Sequence, residues 1–311
     1  MRMSVFDPER PPLFLLNPLA AAGRGARGWR DFQRLAGTAG LPVETCIPGS
    51  PGSAGERAAQ AARAGRMVVA CGGDGTVQAV ANGVLSGGNA TALLALVPLG
   101  TGNDFARCVG IRSLEDAVRA LCSGHPRLVD AIRIECREGG RSRVRYALSF
   151  AAAGIVGDLL ELTTPRVKSL FGPRLAYYVG LLRALRRYRS PRFAVRWGTE
   201  PNVARGSFLF AGVSNTERAG GGMRLAPGAV PDDGQLAVNL IGDVGIVGAC
   251  GHFWRLARGS HTRHRQVRYF AADGLQIEAE PPAVVVADGE LVGCTPARFQ
   301  VQPCSLRILA V

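Results

Sequence analysis

A chain of 311 residues with 47% apolar and 20% charged residues has the length of two ordinary domains and common globular usage, which excludes a largely disordered, fibrous or small disulfide-bonded protein. Arginine and lysine outnumber aspartate and glutamate by 37 to 24, a formal charge of +13, and this draws the protein toward nucleotide phosphates, nucleic acid or an anionic lipid surface. Nucleic acid is disfavoured, because the arginines are dispersed, aromatics make up only 6%, and no helix-turn-helix, RRM or zinc-finger pattern occurs.

Short apolar runs alternate with helical patterns over the first 130 residues. Strands are expected at Pro12 to Leu16, Leu41 to Ile47, Met67 to Cys71 and Leu93 to Pro98, and helices at Arg27 to Ala36, Gly55 to Ala64 and from Thr76 onward. Ser113 with Asp116 reads as a capping box opening one more helix. Such alternation implies a mostly parallel sheet covered on both faces. After about Asp130 strand-like segments dominate: Ala131 to Cys136, Val144 to Phe150, Phe193 to Trp197, Gly206 to Val213, Leu236 to Ile241, Gly274 to Ala279 and Ala283 to Ala287. One long helix, Pro173 to Tyr188, interrupts them, so the second half reads as a β-sandwich. That helix carries Leu175, Tyr178, Val179, Leu182 and Leu185 on one side and Arg183, Arg186, Arg187 and Arg189 toward the other. Packing on the sandwich with a solvated basic face and contact with an anionic membrane both fit.

No run reaches the roughly 18 apolar residues that suggest a membrane span. Residues Met1 to Arg10 lack an apolar signal-peptide core, so a cytoplasmic protein is expected. The eight cysteines show neither a C-x-x-C pair nor zinc-like spacing and are expected to be reduced and mostly buried. His261 and His264 have no carboxylate or cysteine nearby in sequence to complete a metal site.

The most informative segment is Cys71-Gly72-Gly73-Asp74-Gly75-Thr76, set between a strand and a helix. Glycines there let phosphate oxygens approach helix N-terminal N–H groups, and Asp74 suits a bound Mg²⁺ or an attacking hydroxyl. A second loop, Gly100-Thr101-Gly102-Asn103-Asp104, follows the next strand and is expected on the same sheet edge, making a nucleotide and metal site. Asn103 or Asp104 capping the following helix is the plainer alternative. A third loop runs from Asn17 through Gly23-Arg24-Gly25. Gly23, Gly25 and Gly28 formally fit a dinucleotide fingerprint, but six residues separate Leu16 from Gly23, which weakens a Rossmann oxidoreductase reading. Arg24 would serve there as a phosphate contact. No P-loop and no protein-kinase motif set is found.

Together with Pro98 to Arg107, these motifs resemble the diacylglycerol kinase catalytic-domain family, which includes bacterial lipid kinases and sphingosine and ceramide kinases. The likeness continues through Gly154 to Asp158, Asn215 with Gly220 to Gly234, and Asp288-Gly289-Glu290, covering nearly the whole chain. The chain departs from the family pattern at Ala20, Ala21 and Ala22 and at Gln235.

The resemblance implies a Rossmann-like α/β domain of the NAD-kinase and diacylglycerol-kinase type over residues 1–129, binding ATP and Mg²⁺. A β-sandwich lipid-binding domain is implied over 130–311, its last strand returning to the first domain, with catalysis in the cleft between. Asn17, Gly23, Arg24, Gly72 to Thr76 and Gly100, Thr101, Gly102, Asn103 and Asp104 are then nucleotide-side residues, with Asp74 also catalytic. Asp288 is implied as the base for a lipid hydroxyl, Glu290 lies beside the metal, and Asp158 and Arg107 are on the substrate side. Asp233 with the carbonyls of Val230 and Gln235 matches a structural Mg²⁺ position. Asp288-Gly289 as a plain hairpin turn stays open beside the base role. The expected function is phosphorylation of a diacylglycerol-like or sphingoid-like lipid by a peripheral enzyme at an anionic membrane, with a homodimer as its assembly. An NAD kinase-like enzyme with a soluble substrate and a silent lipid-binding protein of the same fold are the alternatives.

Overall fold

Strand β1 (Leu13–Leu16) is fully buried, as a four-residue run of apolar side chains must be at the centre of a covered sheet. It belongs to a computed structural model that describes residues 10–88, 92–163, 180, 182–198, 202–243 and 245–311. The expected N-terminal segment before Arg10 and the helix positions Pro173, Leu175, Tyr178 and Val179 lie outside the described residues. Contacts divide the chain into two units, one of Met1–Ala131, Gly220–Gly222 and Gln302–Val311, the other of Ile132–Ala219 and Met223–Val301.

In the first unit β1 pairs in parallel with β2 (Glu44–Cys46) and β3 (Val68–Gly72), and β3 with β4 (Leu93–Pro98). The end of β14 (Glu290–Ala310) adds a further parallel strand through Arg307 and Ile308. The helices are α1 (Gly25–Thr38), α2 (Pro51–Arg63), α3 (Asp74–Ser86), α4 (Asp104–Cys108) and α5 (Leu114–Ser123). Phe14, Trp29 and Phe32 anchor α1 on the sheet, with ring centroids 5.2 to 6.0 Å apart. The Ser113 and Asp116 capping box forms as expected, and a second one, Ser50 with Ser53, starts α2 four residues before the expected Gly55.

In the second unit, one layer runs β11 (Val267–Ala272), β10 (Leu236–Gly242), β9 (Asn202–Ser214), β7 (Phe150–Gly154), β13 (Val284–Ala287), β14, all antiparallel. The other joins the first half of β9 to β8 (Arg192–Trp197), β12 (Gly274–Glu280) and the middle of β14. The long strands β9 and β14 therefore stitch the two layers around a core that includes Ile132, Phe193, Val213, Val238, Ile277 and Phe299. Strand β5 (His125–Glu138) forms a hairpin with β6 (Arg141–Ala147).

Several expectations are corrected here. The strand expected over Val144 to Phe150 is broken at Leu148 and Ser149, where the chain turns between β6 and β7. Gly154 to Asp158, which resembles the lipid-side loop of the family, is the end of β7 and the first turn of α6 (Val156–Leu162). Beside the expected helix, of which residues 182–187 are described (α7), a further helix α8 (Gly245–Arg258) is present, followed by a 3-10 turn at Ser260–Arg263. Gly245, Gly248 and Gly251 lower its intrinsic helix propensity and hid it. In α7 Ala184 and Leu185 are buried, the expected basic residues are exposed, and Leu182 is exposed too. Of the seven cysteines whose side chains are described, all free thiols, only Cys71 and Cys136 are buried.

Candidate active site

The loops after β1, β3 and β4 leave the carboxyl ends of parallel strands and so share one sheet edge. Backbone bonds draw them together: Asn17 N–H donates to the Cys71 carbonyl and Leu99 N–H to the Gly72 carbonyl, each at 2.9 Å. Asn17 Nδ2 also donates to Thr76 Oγ1 at 3.2 Å, joining the first loop to the start of α3. Ala21, Ala22 and Gly23 are all left-handed, with φ of 53°, 57° and 88°, so the alanines that depart from the family pattern form a tight turn. Arg24 closes that turn by donating from Nε to the Ala21 carbonyl at 3.1 Å. It also lines a groove of about 370 Å³ with Gly28, Leu99, Gly100, Thr101 and Leu114.

The two glycine-rich loops touch backbone to backbone. A Cβ on Gly73 would lie 3.1 Å from Gly100 Cα, and one on Gly100 would press into Gly73 Cα, so neither position admits a side chain without displacing the other strand end. Asn103, left-handed at φ 53°, closes the second loop by accepting from Gly100 N–H and donating to the Gly100 carbonyl, both at 2.9 Å. It stands at the N-cap of α4 without a side-chain bond to the helix.

Asp104 and Asp74 divide the labour. Asp104 is buried, 6% exposed, and its Oδ2 accepts from the N–H groups of Gly221 and Gly222 at 2.7 and 3.0 Å. That carboxylate fastens a distant glycine segment to the loop, a role invisible in the spacing of the motifs. Asp74 opens α3, and its Oδ1 accepts from Phe105 N–H at 3.3 Å while Oδ2 lies against Gly102. Burial raises its pKa first and the neighbouring Asp104 charge second, against the lowering effect of N–H groups from Phe105, Asn103 and Asp104. No cluster of three or more metal-binding side chains occurs among the described residues. A hard cation here would therefore draw its remaining oxygens from phosphate and water, the manner in which Mg²⁺ is usually held. Gly72 and Gly75 complete the turn into α3, and Arg107 is exposed on α4.

The remaining candidates belong to the second unit. Asp288 and Gly289, with φ of 47° and 87°, form the tight turn from β13 to β14, so the hairpin reading is realised. The Asp288 carboxylate does more than turn the chain: Oδ2 accepts from Leu148 N–H at 2.7 Å, and Oδ1 from Ser149 and Phe150 N–H at 3.0 and 2.9 Å. Asn215 braces the same turn, with Nδ2 donating to the Leu148 carbonyl at 3.1 Å. Glu290 is surface-exposed, yet crowding by protein raises its pKa while Arg145 opposes this. Asp158, in the first turn of α6, is raised by burial and then by Glu161, and lowered by Arg187. Val230, Asp233 and Gln235 line one depression of about 180 Å³ with Tyr269, and Asp233 Oδ1 accepts from Gln235 N–H at 3.0 Å. One carboxylate with nearby peptide carbonyls is a donor set suited to Mg²⁺. Sequence reasoning missed Gly221 and Gly222 as partners of Asp104, Leu114 and Gly28 in the groove, and Tyr269, whose hydroxyl donates to the Pro227 carbonyl at 2.9 Å.

Residues 11–134 match the diacylglycerol kinase catalytic domain and residues 161–310 the YegS C-terminal NAD kinase beta sandwich-like domain. A diacylglycerol kinase of Staphylococcus epidermidis is 30% identical over 235 residues, 75% of this chain and 70% of that protein. The chain belongs to the diacylglycerol kinase family. A Staphylococcus aureus diacylglycerol kinase matches with the same identity and coverage. Among solved structures, a candidate diacylglycerol kinase from Bacillus anthracis aligns over 97% of this chain and 95% of its own with a TM-score of 0.76 at 21% identity. Yeast NADH kinase complexed with NADH aligns over 97% of this chain and 83% of its own, with a TM-score of 0.52 at 12% identity. These two likenesses concern the fold: an α/β N-terminal domain and a β-sandwich-like C-terminal domain. Membership of the diacylglycerol kinase family makes the chain a kinase.

Proposed function

We propose that the protein is an ATP- and Mg²⁺-dependent lipid kinase that transfers the γ-phosphate to a hydroxyl of a diacylglycerol-like or sphingoid-like lipid at an anionic membrane surface. The observation that carries this reading is Asp74, a half-buried carboxylate at the start of α3, beside two glycine loops that meet backbone to backbone at Gly73 and Gly100. Phosphoryl transfer has a loose transition state, so the protein mainly positions reactants and balances charge. Bound Mg²⁺ would neutralise the phosphate oxygens, with Asp74 as its protein ligand. The groove with Arg24, Gly100 and Thr101 would hold the nucleotide. Asp288 is the proposed base, held in one orientation by Leu148, Ser149 and Phe150, and late proton removal asks little more of it than placement. Asp233 with Val230 and Gln235 would hold a second, structural Mg²⁺ within the C-terminal domain. Glu290, Asp158 and Arg107 are proposed on the metal and substrate side.

The test uses labelled ATP, Mg²⁺ and mixed micelles of diacylglycerol, sphingosine, ceramide or monoacylglycerol, with NAD as a soluble control. Label in a lipid supports the proposal and names its class. Label in NAD alone overturns it, and label in no acceptor favours a silent lipid-binding protein.

A further inference from the structure

Between Gly245 and Arg268 the chain contains five arginines and no aspartate or glutamate. Helix α8 covers the first part of this stretch, and its Leu256 packs on a core cluster with Val267 and Tyr269 of β11. Trp254 is 56% exposed, whereas Trp29 is 6% exposed. One turn on, the Arg258 guanidinium lies 5.7 Å from the Trp254 ring centroid. Arg255, Arg263 and Arg265 are also exposed, and none of these arginines pairs with a carboxylate among the described residues. Arg268 differs, since alternation along β11 places it with Phe270, on the opposite face from Val267 and Tyr269.

We propose that Trp254, Arg255, Arg258, Arg263 and Arg265 form a docking surface for an anionic phospholipid bilayer. An exposed indole beside unpaired guanidinium groups is what the headgroup region accepts: the ring settles at the boundary between headgroup and acyl chain, and the arginines meet phosphate. A nucleic-acid duplex would use the arginines, but its bases are stacked on one another and offer no face to the indole. Choosing a bilayer over another polyanion rests on the lipid-kinase reading; the surface itself does not.

The experiment uses the full chain and vesicles of phosphatidylcholine with or without phosphatidylglycerol, read by co-sedimentation and tryptophan emission. Phosphatidylglycerol vesicles are expected to bind and to shift emission to the blue, and Trp254→Phe is expected to lose most of that shift. At about fivefold per arginine near the surface, Arg255→Ala with Arg258→Ala should weaken binding roughly 25-fold. Arg268→Ala, which removes the same charge from the other face, should change it less than about twofold. Unaltered binding by the double variant, an unaltered emission shift in Trp254→Phe, or preference for duplex DNA over the anionic vesicles would overturn the proposal. Vesicle binding by a protein that phosphorylates no lipid supports this surface and overturns only the kinase reading.

Discussion

Replacing Asp288 by asparagine removes a charge from a carboxylate that serves the fold as well as the proposed chemistry. Leu148, Ser149 and Phe150 are all buried, so their N–H groups have no water to turn to. Hydrogen bonds to a charged acceptor contribute about 1.5–3 kcal/mol each, and neutral ones roughly half. An asparagine with its oxygen at the Oδ1 position keeps the Ser149 and Phe150 bonds in weakened form, a loss of about 1 kcal/mol each. Its amide nitrogen then faces Leu148 N–H, donor against donor, and leaving that buried group unsatisfied costs about 1–3 kcal/mol more. The left-handed backbone adds little, because asparagine tolerates φ near 47°. The expected destabilisation is about 3–5 kcal/mol, large against a typical total of 5–15 kcal/mol. It should appear in urea denaturation and as faster hydrogen exchange at Leu148, Ser149 and Phe150. A denaturation free energy within about 0.5 kcal/mol of the parent, with those three amides still protected, would refute the hydrogen-bond argument. Turnover per folded molecule is expected to fall by roughly 10² or more. Asn215→Ala separates the causes, because it loosens the same turn and leaves the carboxylate in place. A comparable loss of turnover in that variant would make Asp288 a positioning residue.

Asp74→Asn is expected to lower kcat by roughly 10² or more while raising stability, since it removes a charge held beside Asp104. The sign follows from the raised pKa. Asp74 contributes stability in its protonated form below the ordinary carboxylate range, and that contribution is lost as pH rises through the folded-state value. The variant should therefore lose this part of the pH dependence in thermal melts without nucleotide. Gly100→Ala forces a methyl group onto Gly73 and Asn103, an overpacking cost of about 1–3 kcal/mol, with weaker nucleotide binding by calorimetry. Asp104→Ala should raise hydrogen exchange at Gly221 and Gly222 more than Asp104→Asn does, because the amide oxygen of asparagine can still accept from both.

The strand at Leu93–Pro98 and the Ser113 capping box were legible because their signals are local: a bounded apolar run and a two-residue hydrogen-bond pattern. The three glycine-bearing loops after β1, β3 and β4 were equally legible as turns at one sheet edge, since glycines at strand ends mark the turns in which they sit. Helix α8 was not, because its glycines weaken the propensity on which sequence reading relies. Leu148 and Ser149 lie in a β-branched and aromatic neighbourhood that reads as continuous strand, and only the Asp288 carboxylate, 139 residues from Ser149, explains the break. The sequence by itself thus determined the layer architecture, the family and the identity of the chemical groups. Tertiary structure alone decided which carboxylate is desolvated at the glycine loops, which ties down Gly221 and Gly222, and which holds the turn after β6. The reason is that a carboxylate's role depends on the N–H groups and charges folding brings around it, and those come from residues far away along the chain.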